Sequence, residues 1–407
     1  MSRRQTVVTL GRLGAAVLAA AVLAPPVRAQ TPRVGPGAKD KPKQGMRLVR
    51  TKYYDMVTDL DEDTTREAAA RMTAMGDEYA RRIRGFGAKV TRRLPFYLFS
   101  KKEDYHQAGG PENSWGIYTG RRLMATASTR STNRTWYMIQ HEGFHQFLDA
   151  AMRSRIPPWL NEGLAEYFAH GIWTGDGFVM GAVPTFRCLR VKAQVRLGRM
   201  LDLPDMLNMT DATWAEQMST RNYDQAWSLV HFLIHGEDGA YHKAFGWFLT
   251  DLGAGRPWGA AFVKRFGRDT GALQKRYEEW WLSRPLKPTP EVYATAVVQT
   301  LTSFLARAVA RRERMRDFDD FRAKASAGEL ACRPEQWLPP KLLEEALTVS
   351  RRYAHWQLKR TGPYPTLVLT DDDGNVYTGR FTVRRGRAAD VTVTMKPGRK
   401  KAAAGSR

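Results

Sequence analysis

The sequence predicts an α+β fold: a small mixed sheet, then a helical half, then a further helical segment and a small β unit. Three observations carry this. Short apolar runs of strand length fall between residues 46 and 128, separated by one long helical pattern. From 132 to 285 apolar residues recur mainly at helical spacing. Pro285, Pro288 and Pro290 then interrupt the chain, and beyond residue 362 alternation returns.

Taken in order, residues 46–58 read as extended. Residues 62–83 form a long amphipathic helix, with Asp61 placed to accept a hydrogen bond from a free N–H of its first turn. Residues 94–100 read as a buried strand, and 116–118 and 123–128 as two more. A helix over 132–153 follows. Pro157-Pro158 stop it, and a second helix occupies 159–170, its apolar face marked by Leu160, Leu164, Tyr167 and Phe168. Residues 184–285 are mostly helical. The segment 286–361 reads as helical, with main runs at 292–322 and 341–360. Residues 366–370, 376–383 and 390–395 are strands of the small β unit over 362–396. Asp371-Asp372-Asp373-Gly374-Asn375 invites a calcium reading. An EF-hand would need an acid where Leu369 stands, so a hairpin turn is expected.

Chemistry enters at His141-Glu142-Gly143-Phe144-His145. On a helix, residues four apart share a face, so His141 and His145 can offer two imidazole nitrogens to one zinc ion. Glu142 then stands where a carboxylate can take a proton from a metal-activated water. Two histidines leave a protein ligand missing. A third histidine shortly downstream is ruled out, because Leu148 and Ala151 occupy the positions where Gly and His would be needed. The other source is the next helix, in Trp159-Leu160-Asn161-Glu162-Gly163-Leu164-Ala165-Glu166-Tyr167-Phe168. Glu162 and Glu166 share one face there, either as metal-site residues or as a solvated pair.

This wording resembles the gluzincin metallopeptidases, the zinc aminopeptidases and thermolysin-like enzymes among them. It is most similar to the bacterial peptidase MA-like proteins filed as DUF1570. The resemblance covers roughly residues 46–285 and is most specific over 137–168 and 223–233. It implies a zincin-like metallopeptidase domain over 46–285, with His141, His145 and Glu162 as zinc ligands and Glu142 as catalytic base. Glu166 would orient a ligand histidine, as metal-bound imidazoles normally donate their other N–H to a carboxylate. Tyr223, at the start of an apolar helical stretch, would donate to the oxyanion. In zincins an antiparallel edge strand pairs with the extended substrate, and 123–128 is the candidate. The Gly-x-Met-x-Asn signature of the aminopeptidases is absent before His141, so exopeptidase action is not implied. His231, two turns into the same apolar stretch, reads as a hydrogen-bonded structural histidine.

The chain has 407 residues and a formal net charge of +23. That excess either makes an Arg-rich solvated surface or draws the chain to polyanions such as nucleic acid, acidic cell-wall polymers or anionic lipid, a polyanionic cell-envelope surface among them. No motif points to specific nucleic-acid recognition. Residues 1–29 read as a signal peptide: Arg3, Arg4 and Arg12, an apolar run, then Val27-Arg28-Ala29. An exported protein is therefore expected, periplasmic or extracellular. Residues 30–45 read as a disordered linker and 397–407 as a disordered basic tail. No segment beyond residue 30 reads as a transmembrane anchor. Cys188 and Cys332 either pair, as export permits, or stay as two buried thiols. The expected function is zinc-dependent hydrolysis of a peptide or protein substrate. The rival is a non-catalytic exported binding protein with a structural zinc. The oligomeric state is left open.

Overall fold

A computed structural model describes residues 45–398, apart from 88, 128–132, 153–155, 331, 333 and 361. The expected signal peptide, nearly all of the linker, Ser128 and the tail beyond 398 lie outside the described residues. Strands β1 (Arg47–Arg50), β2 (Tyr54–Thr58), β3 (Leu94–Phe99), β4 (Gly116–Tyr118) and β5 (Leu123–Thr126) form one sheet in the order β1-β2-β3-β5-β4. β2–β3 and β3–β5 are parallel pairs; β1–β2 and β4–β5 are antiparallel. Each parallel connection carries a helix, as the geometry requires: α1 (Glu62–Arg82) and α2 (Lys102–Gln107). Asp61 caps α1, its Oδ1 accepting from Thr64 N at 2.9 Å.

The position of 123–128 differs from expectation. β5 is an inner strand, and β4 is the sheet edge. All four β5 residues are buried, and the strand pairs with β3 on one side and β4 on the other. The turn closed by Thr119 N and Arg122 O (3.1 Å) folds β4 along its outer flank.

Helices α3 (Asn133–Ala151) and α4 (Pro158–Ala169) follow. The ribbon β6 (Ile172–Trp173) and β7 (Phe178–Val179) comes next. The helical half comprises α5 (Thr185–Arg196), α6 (Leu203–Leu207), α7 (Asp211–Glu216), α8 (Thr220–His235), α9 (His242–Gly253), α10 (Trp258–Phe266) and α11 (Thr270–Ser283). One apolar core joins the sheet to these helices, through Phe96, Tyr79, Phe144, Phe168, Trp159, Trp227 and Trp281 among others. α8 is buried along almost its whole length. Gly163 of α4 lies against it: a Cβ there would stand 2.5 Å from Ala226 O and 2.6 Å from Val230 Cγ2.

The C-terminal unit contains α12 (Pro290–Ala310), α13 (Phe318–Ser326) and α14 (Pro340–Ser350). Its antiparallel sheet has the order β11-β10-β9-β8, with β8 (His355–Lys359), β9 (Thr366–Thr370), β10 (Val376–Arg384) and β11 (Arg387–Lys396). Two helical runs expected from sequence are cut short. The first ends at Ala310, where Arg312 takes φ +69° and Asp317 caps a new helix by accepting from Asp320 N. The second ends at Ser350, and 355–359 is a strand. Trp356 and Leu358 are half-buried between exposed His355, Gln357 and Lys359, a period of two that pairing with β9 stabilises. The β unit thus starts earlier than 362 and has four strands.

By length and composition α12 would pass for a membrane span, yet 72% of that window is buried. β10 lies on it so closely that a Cβ at Gly379 would stand 2.0 Å from Thr302 Oγ1. The 371–375 segment is a hairpin turn, as expected, with Gly374 at φ +79° and Asp371 Oδ1 accepting from Asn375 N at 2.8 Å. Cys188 and Cys332 are free thiols in separate cores.

The Gly163 contact gives a direct expectation. Gly163→Ala forces α4 away from α8 and costs about 1–3 kcal/mol, measurable as a fall in denaturant midpoint with unchanged slope.

Candidate metal centre

α3 presents His141 and His145 one turn apart, and the proline-started α4 brings Glu162 to meet them. His141 Nε2 lies 3.1 Å from His145 Nε2, and each lies 3.4 Å from Glu162 Oε2. His141 and Glu162 are buried, while His145 keeps a little exposure. Two imidazole nitrogens and one carboxylate oxygen thus converge in a group that could hold a metal ion. The three residues expected to form the centre are brought together.

Their outer contacts explain the convergence. His141 turns Nδ1 to Glu166 Oε1 at 3.1 Å, and His145 turns Nδ1 to Asn161 Oδ1 at 3.1 Å. A proton held at Nδ1 by an oxygen acceptor leaves the Nε2 lone pair free to bind metal. Glu166 thus lies beside the ring edge of His141 opposite the three converging atoms. Burial works against the charged forms of Glu162 and Glu166, but nearby His145 and Arg187 respectively hold both carboxyls well below the usual range. Burial likewise opposes a charge on His141. Glu162 and Glu166 outweigh it and raise the imidazole to about 10.

Glu166 is itself held by residues that the sequence reading passed over. Its Oε2 accepts from Tyr137 OH and from Arg187 Nη1. Arg187, 3% exposed, also donates from Nε to Asp224 Oδ1 (2.9 Å) and from Nη2 to Tyr223 O (3.2 Å), while its guanidinium lies 4.3 Å from the Trp227 ring centre. His170 Nε2 accepts from Arg187 Nη1 at 2.7 Å; burial and that arginine push the imidazole down to about 3, so it stays a neutral acceptor. Asn161 was legible inside the Trp-Leu-Asn-Glu-Gly run. Arg187 had no local signal.

Glu142 is buried, and its Oε2 accepts from the backbone N–H of Tyr118 at 2.9 Å, so the edge strand β4 holds it. Tyr118 is tied to α3 in turn, its hydroxyl donating to Asp149 Oδ2 at 2.5 Å. Tyr223 also sits at the centre. Its ring centroid lies 6.3 Å from that of His141, and Trp214 packs edge-on at 5.6 Å. Burial first, then Glu162 and Glu166, push its phenol far up, so it remains a donor. His231 lies away from the ligand triangle, bonded to Gly181 O (3.2 Å) among Trp227, Trp280 and Trp281. Burial keeps it neutral.

These features define an α+β protein with a buried His-His-Glu centre capable of holding a metal. Residues 136–247 match the family model for DUF1570, described as a protein of unknown function. The match runs from Trp136 in α3 to Trp247 in α9, so it contains the centre, Arg187 and Tyr223. This bears out the relation to DUF1570. No curated protein matches the chain.

Two outcomes follow from the electrostatics. Arg187→Met leaves buried Glu166 without its guanidinium partner, while Asp224 keeps Arg190, and should cost about 3–5 kcal/mol, read by chemical denaturation. Metal entry must displace the His141 proton. Apparent metal affinity, measured against a competing chelator, should therefore rise about tenfold per pH unit between roughly 7 and 9. A flat profile would show that the metal-free centre carries no such proton.

Proposed function

We propose that this chain is a zinc-dependent hydrolase of the gluzincin type, with a zincin-like domain acting on peptide bonds. One observation carries the reading: the shape of the ligand triangle. A tetrahedral ion with bonds of about 2.0–2.1 Å needs donor separations of about 3.3–3.4 Å. The observed separations are 3.1, 3.4 and 3.4 Å. A point about 2.05 Å from all three atoms stands ~0.7 Å off their plane, the offset that a tetrahedral zinc has above three of its ligands. The mixed nitrogen and oxygen donors also suit zinc better than calcium or magnesium.

When bound, zinc supplies Lewis-acid activation of a water and a carbonyl. The protein groups do the rest. Glu142, adjacent to a ligand and aimed by Tyr118 N–H, accepts the proton of the attacking water. It then delivers that proton to the leaving amine. Tyr223, kept protonated, donates to the oxygen that gains negative charge. Arg187 holds both the carboxylate behind His141 and the backbone carbonyl of Tyr223, so ligand and oxyanion donor share one anchor.

A structural zinc in a binding protein would need its fourth position closed, with Glu166 as the available closer. Glu166 instead faces His141 Nδ1 and is tied to Arg187 and Tyr137, which favours the catalytic reading. The arginine-led, apolar N-terminus makes the proposed enzyme an exported one acting on peptide or protein substrates.

Glu142→Gln tests the mechanism. It should retain one zinc per chain while hydrolysis of a chelator-sensitive peptide substrate drops by about 10²–10⁴-fold. Full activity in that variant would refute the assignment.

A further inference from the structure

Helix α5 is partly inside-out. A surface helix normally turns its apolar stripe to the core and its charges to water. In α5 the buried positions include Arg187 and Lys192. Arg187 is consumed by the buried network described above, and Lys192 Nζ donates to Arg284 O. The opposite face carries Phe186, Leu189 and the capping Leu197, which are 53%, 46% and 60% exposed. At about 100° per residue these three fall with Ala193 on one arc of roughly 80°, a little under a quarter of the helix. The 284–287 connector runs along the buried flank of α5, with Cys188 Sγ 3.9 Å from Pro285 O, and carries Leu286 at 62% exposure. Exposed apolar side chains gathered in one place mark a contact surface, whereas single ones do not.

The rim of this patch is basic. Residues 184–200 hold five basic residues and no acidic one. Of these Arg187 and Lys192 are buried and Arg190 is paired with Asp224 at 2.7 Å, which leaves Arg196 and Arg199 to face solvent. Arg196, Arg199 and Lys287 are exposed and form no ion pair among the described residues. Arg190 lies over the Phe186 ring at 5.2 Å. A second copy of the chain would bring two such rims together and repel. An anionic lipid surface supplies what both features require: phosphates for the arginines and an acyl boundary for the phenylalanine and leucines.

We infer that the outer face of α5 is a membrane-surface docking site for anionic lipid. Phe186, Leu189 and Leu197 insert at the headgroup boundary, and Arg196 and Arg199 contact phosphate. Docking lays α5 flat on the lipid and requires no spanning segment. The site rests on this surface alone and stands whether or not the metal chemistry above is right.

Vesicle sedimentation of the full chain tests it, using phosphatidylcholine vesicles with and without about one-third phosphatidylglycerol. The wild type should bind the mixed vesicles, weakly at high salt, and leave pure phosphatidylcholine unbound. The double variant Phe186→Ser/Leu189→Ser should lose about tenfold or more in partitioning. Arg196→Gln/Arg199→Gln should lose about twentyfold. Circular dichroism and bound metal, unchanged in both, establish that the variants are folded; if the apolar pair misfolds, the arginine pair decides. Equal binding to neutral vesicles, no vesicle binding, or variants that bind like wild type would overturn the site. So would a variant-sensitive preference for polyglutamate, which would indicate an acidic polypeptide partner instead.

Discussion

A guanidinium buried between two carboxylates governs the geometry of this protein. Arg187 reaches from α5 to Glu166 on α4 and to Asp224 on α8, while also holding the Tyr223 carbonyl. Burying charges is expensive unless each finds a partner with good hydrogen-bond geometry. Here the arginine is bonded on every side and stacked on Trp227. Three helices are thereby locked to one another, and the carboxylate behind His141 cannot turn away. The His-His-Glu centre inherits its orientation from this arrangement.

Close backbone packing provides the second constraint. Gly163 follows Glu162 directly, and the absence of a side chain lets α4 descend onto Ala226 and Val230 of α8. Glu162 on α4 and Tyr223 on α8 therefore come to one place. The first sheet contributes from the other side, where the Tyr118 N–H of its edge strand fixes Glu142. His141, Glu142 and His145 share α3, whereas Glu162 sits on α4 and Tyr223 on α8, and packing sets the relative positions of these three helices.

The same economy explains the unusual surface of α5. A helix that spends its inward positions on Arg187 and Lys192 has apolar residues left over for its outward ones. The charge network inside and the apolar patch outside are two faces of one sequence choice.

The His-Glu-x-x-His pair and Glu162 were legible because their geometry is local: one helical turn, a proline-marked stop, and a second helical turn. The turn at 371–375 and the cap at Asp61 were legible for the same reason, each depending on neighbours a few residues away. Tyr223 entered only through resemblance, since nothing in its own segment distinguishes an oxyanion donor from a packed aromatic. The strand at 355–359 was misread because five alternating residues attached to a helical run carry little periodic signal, and pairing with β9 decides their state. The inner placement of β5 depended on which strand the 119–122 turn could fold onto. Arg187 was silent, because a charged residue in a helix looks solvated until its partners, 21 and 37 residues away, are seen to close over it. Sequence alone thus determined which side chains form the His-His-Glu centre, where hydrogen bonding and helical pitch act over short range. Tertiary structure decided the order of the sheet, the support of the ligands and the face α5 shows to its surroundings, since those depend on contacts between distant segments.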